Sequence, residues 1–176
     1  SSSCYGLAKV PTKESHPINP LYPYALSKYM GEQAVLHWCK LYGLRANSIR
    51  IFNAYGPRVR TTGDYGAVFG VFFKQKLSQK PFTLVGDGKQ KRDFLHVRDV
   101  ANAFYLAAIS KKVNNIYNLG AGKPERVLDL AKMIGGSIKF IPKRPGEPHC
   151  TWANIKKFKR DIKWKPTISF KDGVEE

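Results

Sequence analysis

The sequence predicts an α/β protein, and three observations carry that expectation. Helix-like and strand-like segments alternate along the chain, Gly- and Pro-bearing turn signals separate them, and the 43% apolar content is that of an ordinary globular protein. A length of 176 residues suffices for one core, or for one small domain with part of a second.

Each element follows from local signals. Residues 24–44 read as a helix, entered through Pro20 and Pro23, carrying Leu26, Met30, Ala34 and Leu41, and stopped at Gly43. Residues 45–52 read as a short strand and residues 57–64 as a polar loop, followed by a helix over about 67–77. Residues 81–86 are strand-like, and Gly86, Asp87 and Gly88 mark a turn. Beyond it the pattern predicts a helix over 97–110, a strand over 115–119, a helix over 127–134, a strand over 138–141 and a basic helix over 154–160. No repeat or low-complexity segment interrupts this order.

The formal charge of +17 has two readings. One is a Lys-rich solvated surface, and the other is an anionic partner. The lysines are dispersed, and the basic stretch 156–165 matches no nucleic-acid-binding pattern. A phosphorylated small molecule fits the charge, and nucleic acid is not expected. Cys4, Cys39 and Cys150 are odd in number and widely spaced, so they read as reduced thiols rather than a disulfide or metal framework. No run of eighteen apolar residues occurs, and residues 1–6 lack signal-peptide character, so a cytoplasmic protein with no membrane partner is expected.

Two Tyr-xxx-Lys pairs are candidates for acid-base chemistry. Tyr24 and Lys28 stand four apart on the predicted first helix and share a face. A lysine ammonium beside a phenol stabilises the phenolate and lowers a pKa that is ordinarily about 10. Tyr5 and Lys9 have the same spacing, but Gly6 and Pro11 flank them, so no stable helix should hold that pair. Ser1, Ser2 and Ser3 supply hydroxyls that could meet a substrate hydroxyl, although a serine run is also ordinary loop. Gly63, Gly66 and Gly70 superficially suggest a dinucleotide loop; the spacing is wrong and no strand precedes them.

Together the segments resemble the extended short-chain dehydrogenase/reductase family, specifically its nucleotide-sugar epimerases and dehydratases. The resemblance runs nearly the whole length, through SSSCYG at 1–6, YALSK at 24–28, RIFNAYGPR at 50–58, GDGKQKRDFLHVRDV at 86–100, YNLGAG at 117–122, RPGEP at 144–148 and WKP at 164–166. It implies the C-terminal part of a Rossmann-type doubly wound parallel sheet plus a smaller α/β substrate-binding domain. The implied division is 1–56 for the Rossmann part and 57–176 mainly for the nucleotide-sugar part, with residues near 93–120 returning to the first. The family's first half, with its Gly-rich NAD pyrophosphate loop, has no counterpart in this sequence.

The resemblance also implies roles. Tyr24 corresponds to the catalytic base, Lys28 to the residue that binds the nicotinamide ribose of NAD and tunes the tyrosine, and Ser1 to the catalytic Ser/Thr, with Ser2 beside the substrate. Asn53 corresponds to an asparagine contacting the substrate diphosphate, Arg92 and Arg144 to the arginines that clamp it, and Glu147 to an acid on the nucleoside ribose. Thr151, seven residues after Arg144, matches a gatekeeper beside the sugar's C2 substituent, and alternatively only begins the segment leading to Asn154. The implied activity is 4-epimerisation of a UDP-hexose or UDP-N-acetylhexosamine by a homodimer. The resembling dehydratases and decarboxylases carry acids where Ser2 and Ser3 stand, which disfavours those reactions without removing them as alternatives. A non-catalytic nucleotide-sugar or anion-binding module is the alternative of another class.

Overall fold

The computed structural model describes residues 1–61, 68–143 and 146–176. A 3-10 turn, Ser2–Tyr5, leads to helix α1, Pro23–Tyr42, and strands β1, Ser48–Ile51, and β2, Asn53–Tyr55. Helix α2, Val68–Leu77, and strands β3, Phe82–Val85, β4, Lys91–Arg92, and β5, Phe94–His96, follow. Then come α3, Val97–Ile109, β6, Ile116–Leu119, β7, Glu125–Arg126, α4, Val127–Ile134, and β8, Ile138–Ile141. Two short helices end the chain, α5, Lys156–Ile162, and α6, Phe170–Glu175.

Parallel pairing dominates, as the α/β expectation requires. β1 pairs with β6, β2 with β5 and β3 with β8 in parallel, while β4 and β7 are antiparallel. The predicted strand over 45–52 is shorter than expected, and β2 follows it after a break at Phe52, whose N–H reaches the Leu119 carbonyl at 2.9 Å. The basic helix begins at Lys156 rather than 154, because the Asn154 side chain stays outside and accepts the Lys156 N–H at 3.1 Å. Gly63 and Gly66 lie outside the described residues, whereas Gly70 sits in α2 with Arg60 backbone so close that a Cβ would fall 2.0 Å from its oxygen.

Two apolar clusters form the interior. Tyr55, Phe69, Phe72, Phe82 and Phe94 pack with α4 in one; Leu95, Tyr117, Leu119, Phe158 and Trp164 build the other between the β1–β6 pair and α5. Burial of such large side chains contributes roughly 1.5–3 kcal/mol each.

Helix α1 positions the candidate site. Pro23 opens it and Gly43, at φ 65°, ends it in the left-handed conformation that glycine adopts without steric cost. Its buried seam is narrow: Ala25, Glu32 and Cys39 are buried, with Tyr29 and Leu36 half-buried between them. A carboxylate in the middle of such a seam demands a partner. Arg50 on β1 supplies it, with Nε donating to Glu32 Oε2 at 2.9 Å and Nη2 to Oε1 at 2.6 Å, and the Ser48 hydroxyl adds a bond of 2.8 Å.

Burial raises the Glu32 carboxyl pKa, but the Arg50 fork and the Ser48 hydroxyl outweigh it and hold the group below its ordinary value of 4.5. A depressed carboxylate contributes stability that is complete above the unfolded value and fades as the pH falls through the folded one. Glu32→Gln leaves a buried guanidinium without its counter-charge and should cost about 3–5 kcal/mol in urea unfolding at neutral pH. The difference from the parent should shrink below pH 4.5, because protonation makes the parent's pair equally incomplete.

Candidate functional site

The two Tyr-xxx-Lys pairs differ in burial and in hydrogen-bond partners. Tyr5 is buried at 2% exposure at the end of the 3-10 turn, and its hydroxyl donates to Asn118 Oδ1 at 2.7 Å while accepting Arg50 Nη1 at 2.7 Å. Burial pushes its pKa up to about 12, against the opposing pull of the guanidinium. Gly6, at φ 63°, turns the chain away before Lys9, which is exposed and off any helix. Such a phenol is a structural strut with no access to a substrate.

Tyr24 has the opposite character. It lies in the first turn of α1 at 37% exposure, stacks on Tyr22 with ring centroids 6.5 Å apart, and has the Lys28 Nζ 5.4 Å from its ring centroid. Ser1 caps the 3-10 turn, with its Oγ 2.8 Å from the Ser3 hydroxyl and accepting the Ser3 N–H, and Ser2 follows in the turn. Ser1, Lys28 and Glu32 line one cavity of about 250 Å³. The serine turn and the lysine of α1 therefore face a common space.

A second group gathers residues remote in sequence. Asn53, at the start of β2, donates from Nδ2 to the Thr151 hydroxyl at 2.9 Å. The Thr151 N–H reaches the Lys91 carbonyl at 3.0 Å, and Lys91 leads into Arg92 on β4. Arg92 Nη1 donates to the carbonyls of Lys91 and Pro148 at 2.9 Å each, and Nη2 to Glu147 Oε1 at 2.8 Å. Desolvation lowers the Arg92 pKa, with Glu147 opposing it. Arg92 and Glu147 are thus paired with each other, and only 11% of the Arg92 side chain is exposed, unlike a solvated surface charge. Arg144 lies outside the described residues.

Asp93 is a residue that the sequence reading left without a role. Its buried carboxylate accepts the N–H groups of Ala121 at 2.7 Å, Gly122 at 3.1 and 3.2 Å, and Ala153 at 2.8 Å. Gly120 permits this approach, since a Cβ there would fall 2.6 Å from Asp93 Oδ2. The segment holding Thr151 is thereby tied to the turn after β6. The signal was present in the RDF of 92–94 and the GAG of 120–122, but nothing local says that the two touch.

A cavity of about 850 Å³ lies elsewhere. It is lined by Lys13, Asn114, Lys157 and Arg160 among others and contains none of the candidate residues. Among the described residues no cluster of His, Cys, Asp or Glu could hold a metal ion, and no helix is long and apolar enough to cross a membrane.

Parallel strands with crossover helices, and a Tyr-Lys pair in the first two turns of one helix beside a serine turn, define a Rossmann-type short-chain dehydrogenase/reductase protein. The chain belongs to the NAD dependent epimerase/dehydratase family, whose model matches residues 1–120. It is similar to the UDP-glucose 4-epimerase of Mycolicibacterium smegmatis, with 30% identity over 98% of this chain and 57% of that protein. The structure of UDP-N-acetylglucosamine 4-epimerase from Methanobrevibacter ruminantium M1, in complex with UDP-N-acetylmuramic acid, superposes with a TM-score of 0.90 at 30% identity, covering 99% of this chain and 60% of that one. UDP-glucuronic acid 4-epimerase from Bacillus cereus, in complex with UDP-glucuronic acid and NAD, gives a TM-score of 0.89 at 33% identity, covering 99% and 57%. The chain thus spans just over half the length of these relatives.

NAD is the cofactor of this family. The residues present fit part of it: the exposed Lys28 ammonium and the hydroxyls around Ser1 offer donors to a ribose at the mouth of their shared cavity.

The contrast between the two tyrosines can be read by ultraviolet titration. The phenol lost in Tyr5→Phe should be one that stays protonated at pH 10, where an ordinary tyrosine is half ionised, so the difference titration should be flat there.

Proposed function

We propose that a protein carrying this chain epimerises C4 of a nucleotide-sugar, a UDP-hexose or UDP-N-acetylhexosamine, through a 4-keto intermediate. The observation that carries this reading is the exposed Tyr24 with Lys28 beside its ring, Lys28 in turn sharing a cavity with Ser1 of the hydroxyl turn, whereas Tyr5 is buried. Tyr24 takes the proton of the C4 hydroxyl, Lys28 favours the phenolate by its charge, and Ser1 steadies the reacting oxygen by a hydrogen bond. NAD, held at its nicotinamide ribose by Lys28, would supply reversible hydride exchange with C4. Tyr24 gives back the proton, so atoms and electrons balance over the cycle. Ser2 and Ser3 offer hydroxyls where a dehydratase would need acids, which favours epimerisation over elimination.

In this reading Asn53, Arg92 and Arg144 hold the diphosphate, and Glu147 the nucleoside ribose. Arg92 must then trade its Glu147 contact for phosphate oxygens, a competition its planar fork suits. Residues 1–56 serve the cofactor side and 57–176 mainly the nucleotide-sugar side, with 93–120 returning to the first. The reading includes a cytoplasmic homodimer acting on a small molecule, with no nucleic-acid or membrane partner.

In the full-length enzyme Tyr24→Phe should lower turnover of UDP-sugar by on the order of a hundredfold or more, with Tyr5→Phe far milder. Equal effects of the two substitutions on kcat would overturn the choice of base.

The gatekeeper reading of Thr151 gives a separate test. A tyrosine there overpacks space that an N-acetyl group needs, worth about 1–3 kcal/mol or roughly 10- to 100-fold in preference. Thr151→Tyr should therefore lower the kcat/KM ratio of UDP-N-acetylglucosamine to UDP-glucose. Loss of the Asn53 bond affects both sugars alike and cancels in the ratio. An unchanged ratio sinks the gatekeeper assignment and leaves Tyr24 untouched.

A further inference from the structure

We infer that Arg50 is a positioning residue for this chemistry: one buried guanidinium sets the tyrosine helix and the serine turn at a fixed spacing, so that Tyr24, with Lys28 beside it, and Ser1 act on the same hydroxyl. The inference rests on the roles proposed above for Tyr24 and Lys28. Arg50 is 3% exposed and does not itself line the cavity that Ser1, Lys28 and Glu32 share. Through Nε and Nη2 it grips Glu32 of α1, at 2.9 and 2.6 Å, and through Nη1 it grips the hydroxyl of Tyr5, the last residue of the serine turn, at 2.7 Å. Nη1 also reaches the Glu14 carbonyl at 3.3 Å. The two halves of the candidate site are thus held by donors on a single rigid plane.

The helix needs such a device. Tyr24, Lys28 and Glu32 follow one another at four-residue steps, so their side chains run along one stripe. The other fully buried anchors, Ala25 and Cys39, are small, and the larger Tyr29 and Leu36 are only half-buried, so Glu32 is the one buried side chain on the seam with a fixed directional contact. A side chain about 6 Å from the axis moves about 1 Å for a rotation of about 10°, and a misplacement of 1 Å can cost on the order of a hundredfold in rate. A bidentate Arg-carboxylate contact resists that rotation because both oxygens are held in the guanidinium plane, and the Ser48 hydroxyl braces the carboxylate further. A lysine at position 50 keeps the charge and loses the plane.

The test uses the full-length enzyme with NAD and UDP-glucose. Arg50→Lys and Glu32→Asp both retain charge while breaking the fork geometry. Each should lower kcat at least tenfold with KM within threefold of the parent, whereas Asn53→Ala should chiefly raise KM. Ser48→Ala trims one hydrogen bond and Tyr5→Phe two, and both leave the ion pair, so they should fold and lower kcat about two- to fivefold. A folded Arg50→Lys or Glu32→Asp enzyme with parental kcat, less stable but equally active, overturns the inference. If neither of those variants folds, parental kcat in both Ser48→Ala and Tyr5→Phe overturns it instead. Tyr24→Phe is run in parallel: parental turnover there refutes the reading of the base, whatever the Arg50 variants do.

Discussion

The arrangement of this chain turns on the buried Arg50 guanidinium. It sits where the 3-10 turn, α1 and β1 converge, and it satisfies the Glu32 carboxylate, the Tyr5 hydroxyl and the Glu14 carbonyl at once. Taking a charge out of water is costly, so the group is tolerated only because nearly every donor has an acceptor. Tyr5 hands the network on to Asn118 of β6, whose amide donates to the Thr12 carbonyl and whose N–H is accepted by Glu14 at 2.9 Å. The β1–β6 pair, the loop after the serine turn and the tyrosine helix are consequently parts of one polar lattice.

A second buried charge does similar work beside the turn after β6. Asp93 gathers backbone N–H groups from the turn after β6 and from the segment carrying Thr151, while that segment is bridged to Thr12 on one flank and Lys91 on the other. Burial raises the Asp93 pKa to about 6 despite those donors, so the carboxylate is held at an energetic cost. The result is geometric: Asn53 meets Thr151, 98 residues away, and the Thr151 N–H bonds the Lys91 carbonyl next to Arg92.

These uses of acidic residues bear on the charge. Glu14, Glu32, Asp93 and Asp99 are all engaged as acceptors inside the fold, Asp99 taking the N–H groups of Thr167 and Ile168 at 3.0 Å each. With 13 acids against 30 basic residues, acids employed internally leave the surface lysines largely without counter-charges. A positive field of this kind raises the local concentration of an anionic small molecule as readily as that of a polymer. It therefore agrees with a nucleotide-sugar ligand and needs no nucleic acid to explain it.

Local chemistry by itself determined the order of the main helices and strands. Pro23 and Gly43 bound α1 because one cannot continue a helix backward and the other adopts the left-handed cap freely, and the apolar periods of 127–134 and 138–141 match α4 and β8 at both ends. The seven motifs running in order from 1–6 to 164–166 placed the chain in its family, and the one at 24–28 nominated Tyr24. Tertiary structure alone decided what those residues touch. The two- and three-residue strands β2, β4, β5 and β7 carry no period of their own and exist only through partners elsewhere in the chain. The same holds for Arg50 and Glu32, 18 residues apart, and for Arg92 and Glu147, 55 apart. Two equally spaced tyrosine-lysine pairs differ in kind because one phenol is enclosed by a guanidinium and an amide while the other faces outward. Burial and hydrogen-bond partnership belong to the folded chain, and no spacing between neighbours encodes them.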